Sequence, residues 1–333
     1  MRDWLWLARE EEIPNAGDYM TFRIMDEPII ITRNVAGEVH AFANVCAHRG
    51  IEVASGDGNT QEFSCPYHGW LYDLDGKLVG APYMKEAEGF DPASCRLKPL
   101  SVARWQGWVL VSFSDNPPDI DEWFTDLNRD FGFLRKADCR VVDKIVADVD
   151  CNWKFAVENF MDYYHAQVLH ADTFGGAITV DKVPFNLRRN GGFSAFYDAA
   201  PMAPDNQAIL PNMPWLTEKP DSFACGGAIG PNVNYFGRID DISAWCSWPL
   251  SPDRTRCIIY LLFPEAHLGI DGLDDIVAGY RSFVEAVVNE DLEMVRALQR
   301  NMHSRAFAPG RMSKIEKPIH HFVNYNLERI FND

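Results

Sequence analysis

Cys46-Ala47-His48-Arg49-Gly50 and Cys65-Pro66-Tyr67-His68-Gly69-Trp70 are the two stretches from which the rest of this chain can be read. Each places a cysteine and a histidine in one short loop, with a glycine close behind the histidine. Two thiolates and two neutral imidazoles form the donor set of a [2Fe–2S] centre in which one iron takes sulfur and the other nitrogen. A single zinc is the obvious competitor. Structural zinc sites group like ligands, at Cys-x₂₋₄-Cys and His-x₃₋₅-His spacings. Here each loop supplies one soft and one borderline ligand, which suits two unlike irons better than one tetrahedral ion. Gly50 and Gly69 stand where backbone must fold tightly around the sulfides.

Cys-x-His-Arg-Gly followed by Cys-Pro-Tyr-His-Gly-Trp resembles the Rieske domain of bacterial ring-hydroxylating oxygenases. Respiratory-chain Rieske proteins usually carry a disulfide between these loops, and its positions here are Ile51 and Tyr67. The resemblance therefore implies the oxygenase branch, with Cys46, His48, Cys65 and His68 as cluster ligands.

A length of 333 residues is enough for two domains with separate cores. Hydrophobic content of 47% and charged content of 24% are those of an ordinary globular chain. The net charge of −17 argues against nucleic acid and anionic membranes, since phosphate binding needs a basic footprint. It is compatible with a basic patch on an electron donor, though a solvated acidic surface explains it as well. No apolar run approaches the length of a membrane span. The apolar N-terminal residues 4–8 run at once into Glu10-Glu11-Glu12, unlike a signal peptide. Cys95, Cys139, Cys151, Cys225, Cys246 and Cys257 show no framework spacing, so reduced thiols and a cytoplasmic location are expected.

Residues 19–113 read as short strands and tight turns, including Ile29-Ile30-Ile31, a hairpin about Asp75-Gly76 and a last strand at 108–113. Asp115-Asn116-Pro117-Pro118-Asp119 is the linker candidate, since consecutive prolines stop a strand. A helix is expected over 120–134. The expected domains are 1–116, holding the cluster, and 117–333.

The second domain carries its own donors. Asn159, Asp162, His165 and His170 lie in a helix-competent run. Asp162 and His165 are three positions apart and would share a helical face. His165 and His170, five apart, would not, at about 100° per residue, so the helix must end or bulge between them. A long helix is expected over 274–302, with Tyr280, Phe283, Val284, Val287, Val288, Val295 and Leu298 on one stripe. Asp291 falls on that stripe, where a carboxylate is costly unless paired or metal-bound. Glu290 and Glu293 fall off it and are expected to be solvated. His165, His170 and Asp291 would form the two-histidine, one-carboxylate face of a mononuclear non-haem Fe(II).

Asn159-x-x-Asp162-x-x-His165-x₄-His170 is similar to the ligand segment of the Rieske oxygenase α subunit, and Glu290-Asp291 with Gln299 to the segment supplying the third ligand. The resemblance implies an α+β chain: a small antiparallel β Rieske domain, then a helix-grip catalytic domain, an antiparallel sheet covered by helices. It implies catalytic roles for Asp162 and Asn159, with Asp162 bridging His165 and the partner subunit's His68 in a homotrimer. It also implies electrons from NAD(P)H through a separate ferredoxin or flavin reductase, with O₂ as co-substrate. The expected reaction is hydroxylation or dealkylation of a small organic, aromatic substrate; cis-dihydroxylation is the alternative, a non-catalytic electron carrier the remote one.

Residues 174–239 are rich in Gly and Pro, as lids and binding loops are. Ser243 to Trp248 and Cys257 to Phe263 read as paired strands. Phe236, Trp245, Ile259 and Leu261 are candidates to line the cavity. Arg188, Arg189 and Arg238 are candidates to clamp an acidic substrate.

Overall fold

Ile29, Ile30 and Ile31 are all fully buried, as in a strand covered on both faces, and the first unit is laid out around them. The structure, a computed structural model, describes residues 2–174 and 178–331. Residues 175–177 of the 174–239 stretch lie outside the described residues. The chain divides into two compact units after Pro118.

The strands of the first unit are β1 (Leu5–Arg9), β2 (Asp18–Ile24), β3 (Glu27–Arg33), β4 (Val39–Ala43), β5 (Asp57–Asn59), β6 (Glu62–Ser64), β7 (Leu71–Asp73), β8 (Leu78–Gly80), β9 (Pro99–Trp105) and β10 (Trp108–Ser112). They build a seven-stranded sheet in the order β1-β10-β9-β4-β3-β2-β5 and a three-stranded sheet, β6-β7-β8. The pairings are antiparallel. One Cys-His loop leaves β4; the other joins β6 to β7. Cys46 and Cys65 are buried in one cluster with Ile30, Phe42, Trp70 and Tyr72, so the core itself seats the two thiols.

In the second unit, α1 (Ile120–Phe131) begins at Asp119, whose side chain accepts the Glu122 amide at 2.9 Å. Then follow β11 (Cys139–Val149), α2 (Trp153–Met161), α3 (Ala166–Leu169), β12 (Phe185–Leu187), β13 (Phe193–Asp198), β14 (Phe223–Ile229), β15 (Val233–Arg238), β16 (Ile242–Ser251), β17 (Arg254–Pro264), α4 (Leu273–Asn301) and α5 (Lys317–Phe331). The strands form an antiparallel sheet in the order β11-β17-β16-β15-β14-β13-β12. The stretch expected to be lids and loops thus contributes β12, β13, β14 and β15. Two of its glycines are central sheet residues: Gly226 and Gly227 pair with Phe236 and Tyr235.

Cys257, Ile259, Leu261 and Phe263 alternate along β17 and face the helices, meeting Ala156 and Phe160 of α2 and Val284, Val287, Val288, Leu292 and Val295 of α4. Each large apolar side chain so buried stabilises by about 1.5–3 kcal/mol. That packing brings α2 and α4 side by side. The resemblance to an α+β chain with a helix-covered antiparallel sheet is realised.

Candidate metal centres

The two Cys-His loops have the same local construction. In the first, Cys46 N donates to Ile51 O at 2.9 Å and Gly50 N to Cys46 O at 2.9 Å; in the second, Cys65 N donates to Trp70 O at 2.8 Å and Gly69 N to Cys65 O at 3.0 Å. Both closures need a left-handed residue, and Gly50 and Gly69 have φ of +77° and +68°. The result is two fingers presenting like atoms to like: His48 Nδ1 and His68 Nδ1 lie 3.1 Å apart. The histidines are exposed while the cysteines are buried. The Tyr72 hydroxyl sits 3.2 Å from Cys46 Sγ and accepts the Ala47 amide at 3.0 Å. Burial pushes the Cys65 thiol up, and Cys46 beside it adds to this; both burdens are relieved if the sulfurs are bound to metal. None of the eight cysteines is in a disulfide. A single zinc would draw all four donors to one point. Among the described residues, the set of three or more donors gathered within 4.8 Å is a different one, His165, His170 and Asp291. The paired arrangement suits a two-iron cluster.

The second centre starts from the end of α2. Asn152 caps it by accepting the Lys154 amide, and Gln299 of α4 accepts the Asn152 amide at 2.8 Å, locking the two helices together. α2 does not continue through Asp162 and His165 as their spacing suggested. Asp162 takes extended dihedrals (φ −84°, ψ 101°), and its Oδ1 accepts the amide of Tyr164 at 2.7 Å. That is an Asx turn, which competes with the helix and stops it. His165 is thereby swung back, and its Nδ1 meets Asp162 Oδ2 at 3.1 Å through the turn rather than along a helical face.

Past this turn His165 Nε2 and His170 Nε2 lie 3.2 Å apart, and Asp291 Oδ1 on α4 lies 3.3 Å from the first and 3.1 Å from the second. Three ligands on one octahedral face at about 2.1 Å from a metal stand about 3.0 Å from each other. The triad matches. Asp291 Oδ1 is buried and, among the described residues, has no hydrogen-bond partner of good geometry. A buried, orphaned carboxylate oxygen between two imidazole nitrogens calls for a cation. The charge balance points the same way: burial depresses His165, but Asp162 and Asp291 outweigh it and hold the imidazole up to about 9. A divalent metal answers that demand.

Glu290 is the residue the sequence reading misplaced. Its Oε2 sits 2.6 Å from His170 Nδ1 and accepts the Thr173 hydroxyl at 3.1 Å. The carboxylate half-buries itself against the histidine, as outer partners of metal histidines do. An acid adjacent to Asp291 was the available signal, and helical spacing alone pointed it to solvent. Glu293 is exposed as expected.

A cavity opens on the triad. Its walls include Phe160, Tyr163, Phe174, Tyr197, Phe236 and Trp245. Of the candidate cavity residues, Phe236 and Trp245 line it, whereas Ile259 and Leu261 belong to the core under α2 and α4. Asn159 lines it too, and its buried Nδ2 has no hydrogen-bond partner. Arg188 and Arg189 are elsewhere, paired with Asp130 and Glu122. Arg238 is in the cavity wall.

An electron-storing centre in one unit and an oxygen-accessible metal face in the other define a two-centre, oxygen-activating redox enzyme. The profile for the Rieske [2Fe-2S] domain matches residues 3–100, and that for the ring hydroxylating alpha subunit (catalytic domain) matches 136–330. The chain belongs to the Rieske non-haem iron oxygenase family, as a terminal oxygenase subunit whose cofactors are a [2Fe–2S] cluster and a mononuclear iron. It is 28% identical to the glycine betaine monooxygenase oxygenase subunit of Pseudomonas aeruginosa, over 100% of this chain and 84% of that one. It is 26% identical to the carnitine monooxygenase oxygenase subunit of Acinetobacter baumannii, over 92% and 80%. A quaternary ammonium Rieske monooxygenase of known structure superposes with a TM-score of 0.80, at 25% identity over 99% and 88%. Naphthalene 1,2-dioxygenase from Rhodococcus sp. shares the fold, with a TM-score of 0.82 at 22% identity over 100% and 90%. These sequence relatives favour monooxygenation over dihydroxylation. They give no support to the expected aromatic substrate. Among the described residues no helix is long and apolar enough to cross a membrane.

Proposed function

We propose that this enzyme removes a methyl group from a small quaternary ammonium compound. Cys46, His48, Cys65 and His68 hold the cluster, and His165, His170 and Asp291 hold the iron. The observation that carries the reading is the wall of the cavity over the triad, which six aromatic side chains line. Aromatic faces attract a quaternary ammonium, which cannot hydrogen-bond, through the ring quadrupole. Relatives named for glycine betaine and carnitine supply the substrate class.

When bound, the iron supplies activation of O₂ with electrons delivered by the cluster. The chain's own residues do the rest. Asp162 and Glu290 orient His165 and His170 through their Nδ1 atoms, leaving both Nε2 atoms turned to Asp291. The aromatic wall holds the ammonium and excludes water from the metal face. One oxygen atom enters a C–H bond of an N-methyl group, and the other leaves as water with two electrons and two protons. The N-hydroxymethyl product then falls apart to the tertiary amine, formaldehyde and a proton. The electrons come from NAD(P)H through a separate ferredoxin or flavin reductase in the cytoplasm. Asp162 hands them on between His165 and the partner subunit's His68 in a homotrimer, a role its turn at the edge of the triad permits.

The test is turnover under ¹⁸O₂ with a surrogate reductase and a panel of quaternary ammonium and aromatic compounds. One formaldehyde formed per tertiary amine and per O₂ consumed, with no labelled atom in the amine, is the expected result. Two labelled atoms in one ring product would make the enzyme a dihydroxylating dioxygenase instead.

A further inference from the structure

Arg238, the last residue of β15, is only 4% exposed and belongs to the wall of the catalytic cavity. Among the described residues its guanidinium donates to neutral oxygens alone. Nε donates to Ala200 O at 3.3 Å, and Nη1 to the Tyr197 hydroxyl at 3.4 Å and to Gly237 O at 3.3 Å. These are long contacts for a donor of such strength. By contrast Arg188, Arg189 and Arg256, all more exposed, meet the carboxylates of Asp130, Glu122 and Asp148. Asp240 and Asp241 are the acids nearest along the chain, but Asp240 accepts the Tyr280 hydroxyl and Asp241 meets Arg238 through its backbone carbonyl, 2.9 Å from Arg238 N. Burial pushes both carboxyls above their usual range, so each is a poor counter-charge. A buried guanidinium without a carboxylate is costly and persists where something else completes it. No other lysine or arginine lines this cavity among the described residues.

We propose that Arg238 anchors a carboxylate on the substrate, so that the cavity takes a zwitterion: an N-methylated amino acid whose ammonium meets the aromatic wall and whose acid meets the guanidinium. This rests on the demethylase reading of the same cavity and narrows it. A purely cationic substrate would bring a second positive charge against Arg238 in a low-dielectric site. A carboxylate removes that repulsion and matches the planar fork of the guanidinium. Tyr197 joins the two halves, since Arg238 Cζ stands 5.6 Å from its ring centre and its hydroxyl accepts from Nη1.

The test is calorimetric binding to the cluster- and iron-loaded enzyme of matched pairs: glycine betaine and its longer-chain homologues, each against its primary amide, with choline as the cation lacking an acid. The expected result is at least one acid bound about 30-fold or more tightly than its amide, the scale of a buried charge pair losing a partner. Arg238→Gln should collapse that ratio to near unity, chiefly by weakening the acid, and Arg238→Lys should restore part of it. Absence of acid preference in every wild-type pair overturns the inference, whether or not the variants fold. Equal loss of acid and amide in a folded Arg238→Gln also overturns it. Binding needs no turnover, so the two readings fail separately. Acid preference without O₂ consumption would sink the demethylase reading alone; demethylation of choline with no acid preference would sink the carboxylate anchor alone.

Discussion

The Tyr72 hydroxyl, 3.2 Å from Cys46 Sγ, shows how one residue sets the character of the cluster loop. A hydrogen bond to a sulfur favours the reduced, more negative cluster. Tyr72→Phe removes one such bond, worth about 0.5–1.5 kcal/mol, and should lower the one-electron potential by about 20–65 mV in spectroelectrochemical titration. An unchanged potential would mean the hydroxyl is not aimed at the sulfur in the loaded protein. At the other centre the telling residue is His165. In iron-free protein its pKa of about 9 lies above the unfolded value of 6.5, held there by Asp162 and Asp291 against burial. A raised folded-state pKa means stability that is full below about 6.5 and is lost as pH rises through 9. The chelated enzyme should therefore lose melting temperature between pH 7 and 9.5, while the iron-loaded enzyme, with the proton replaced, should not. A chelated form that gained stability over that range would contradict the charge balance of the site.

Among the elements, α4 couples packing to metal binding most directly. Val284, Val287, Val288, Leu292 and Val295 hold it on the sheet, and Asp291 sits in the middle of that same buried stripe. Leu292→Ala, next to the ligand but outside the triad, should cost about 2–5 kcal/mol. It should also lower retained iron, because loosening this helix moves the third ligand. Leu298→Ala, on the same stripe but exposed near the C-terminal end of the helix, should change stability by less than about 0.5 kcal/mol and leave iron content alone. Thermal melting with iron quantitation reads both. Equal effects at the two positions would show that the stripe does not govern the site. Gln299 supports this role, since it ties α4 to the first turn of α2, whose end positions His165 and His170.

At the scale of the whole molecule the question is how electrons reach the triad. Asp162 contacts His165 yet is outside the set of three converging donors. Asp162→Ala should leave both metals bound and the cluster reducible. Product per cluster reoxidised should fall by about 10–100-fold, the usual cost of losing an outer partner of a metal histidine. Loss of the mononuclear iron in this variant would instead make Asp162 a ligand and remove the proposed bridge.

The cluster motif was legible because its chemistry is local. Each Cys-His pair and its glycine close one short loop, so residues 46–50 and 65–70 carry nearly all the information. The α4 helix and the oddity of Asp291 were legible because a 3.6-residue period exposes any acid on an apolar stripe. The long antiparallel sheet was half legible: β16 and β17 read as strands, whereas β12 to β15, set in a Gly- and Pro-rich stretch, are strands only because neighbouring strands complete their hydrogen bonds. What tertiary structure alone decided is everything that depends on residues far apart meeting. His170 meets Glu290 across the gap between α2 and α4, and Arg238 of β15 meets the wall that Phe160, Tyr163 and Trp245 provide. Spacing along a chain cannot show this, because a carboxylate or guanidinium has the same sequence signature in water as in a cavity. Burial and distance separate the two, and only the folded arrangement supplies them.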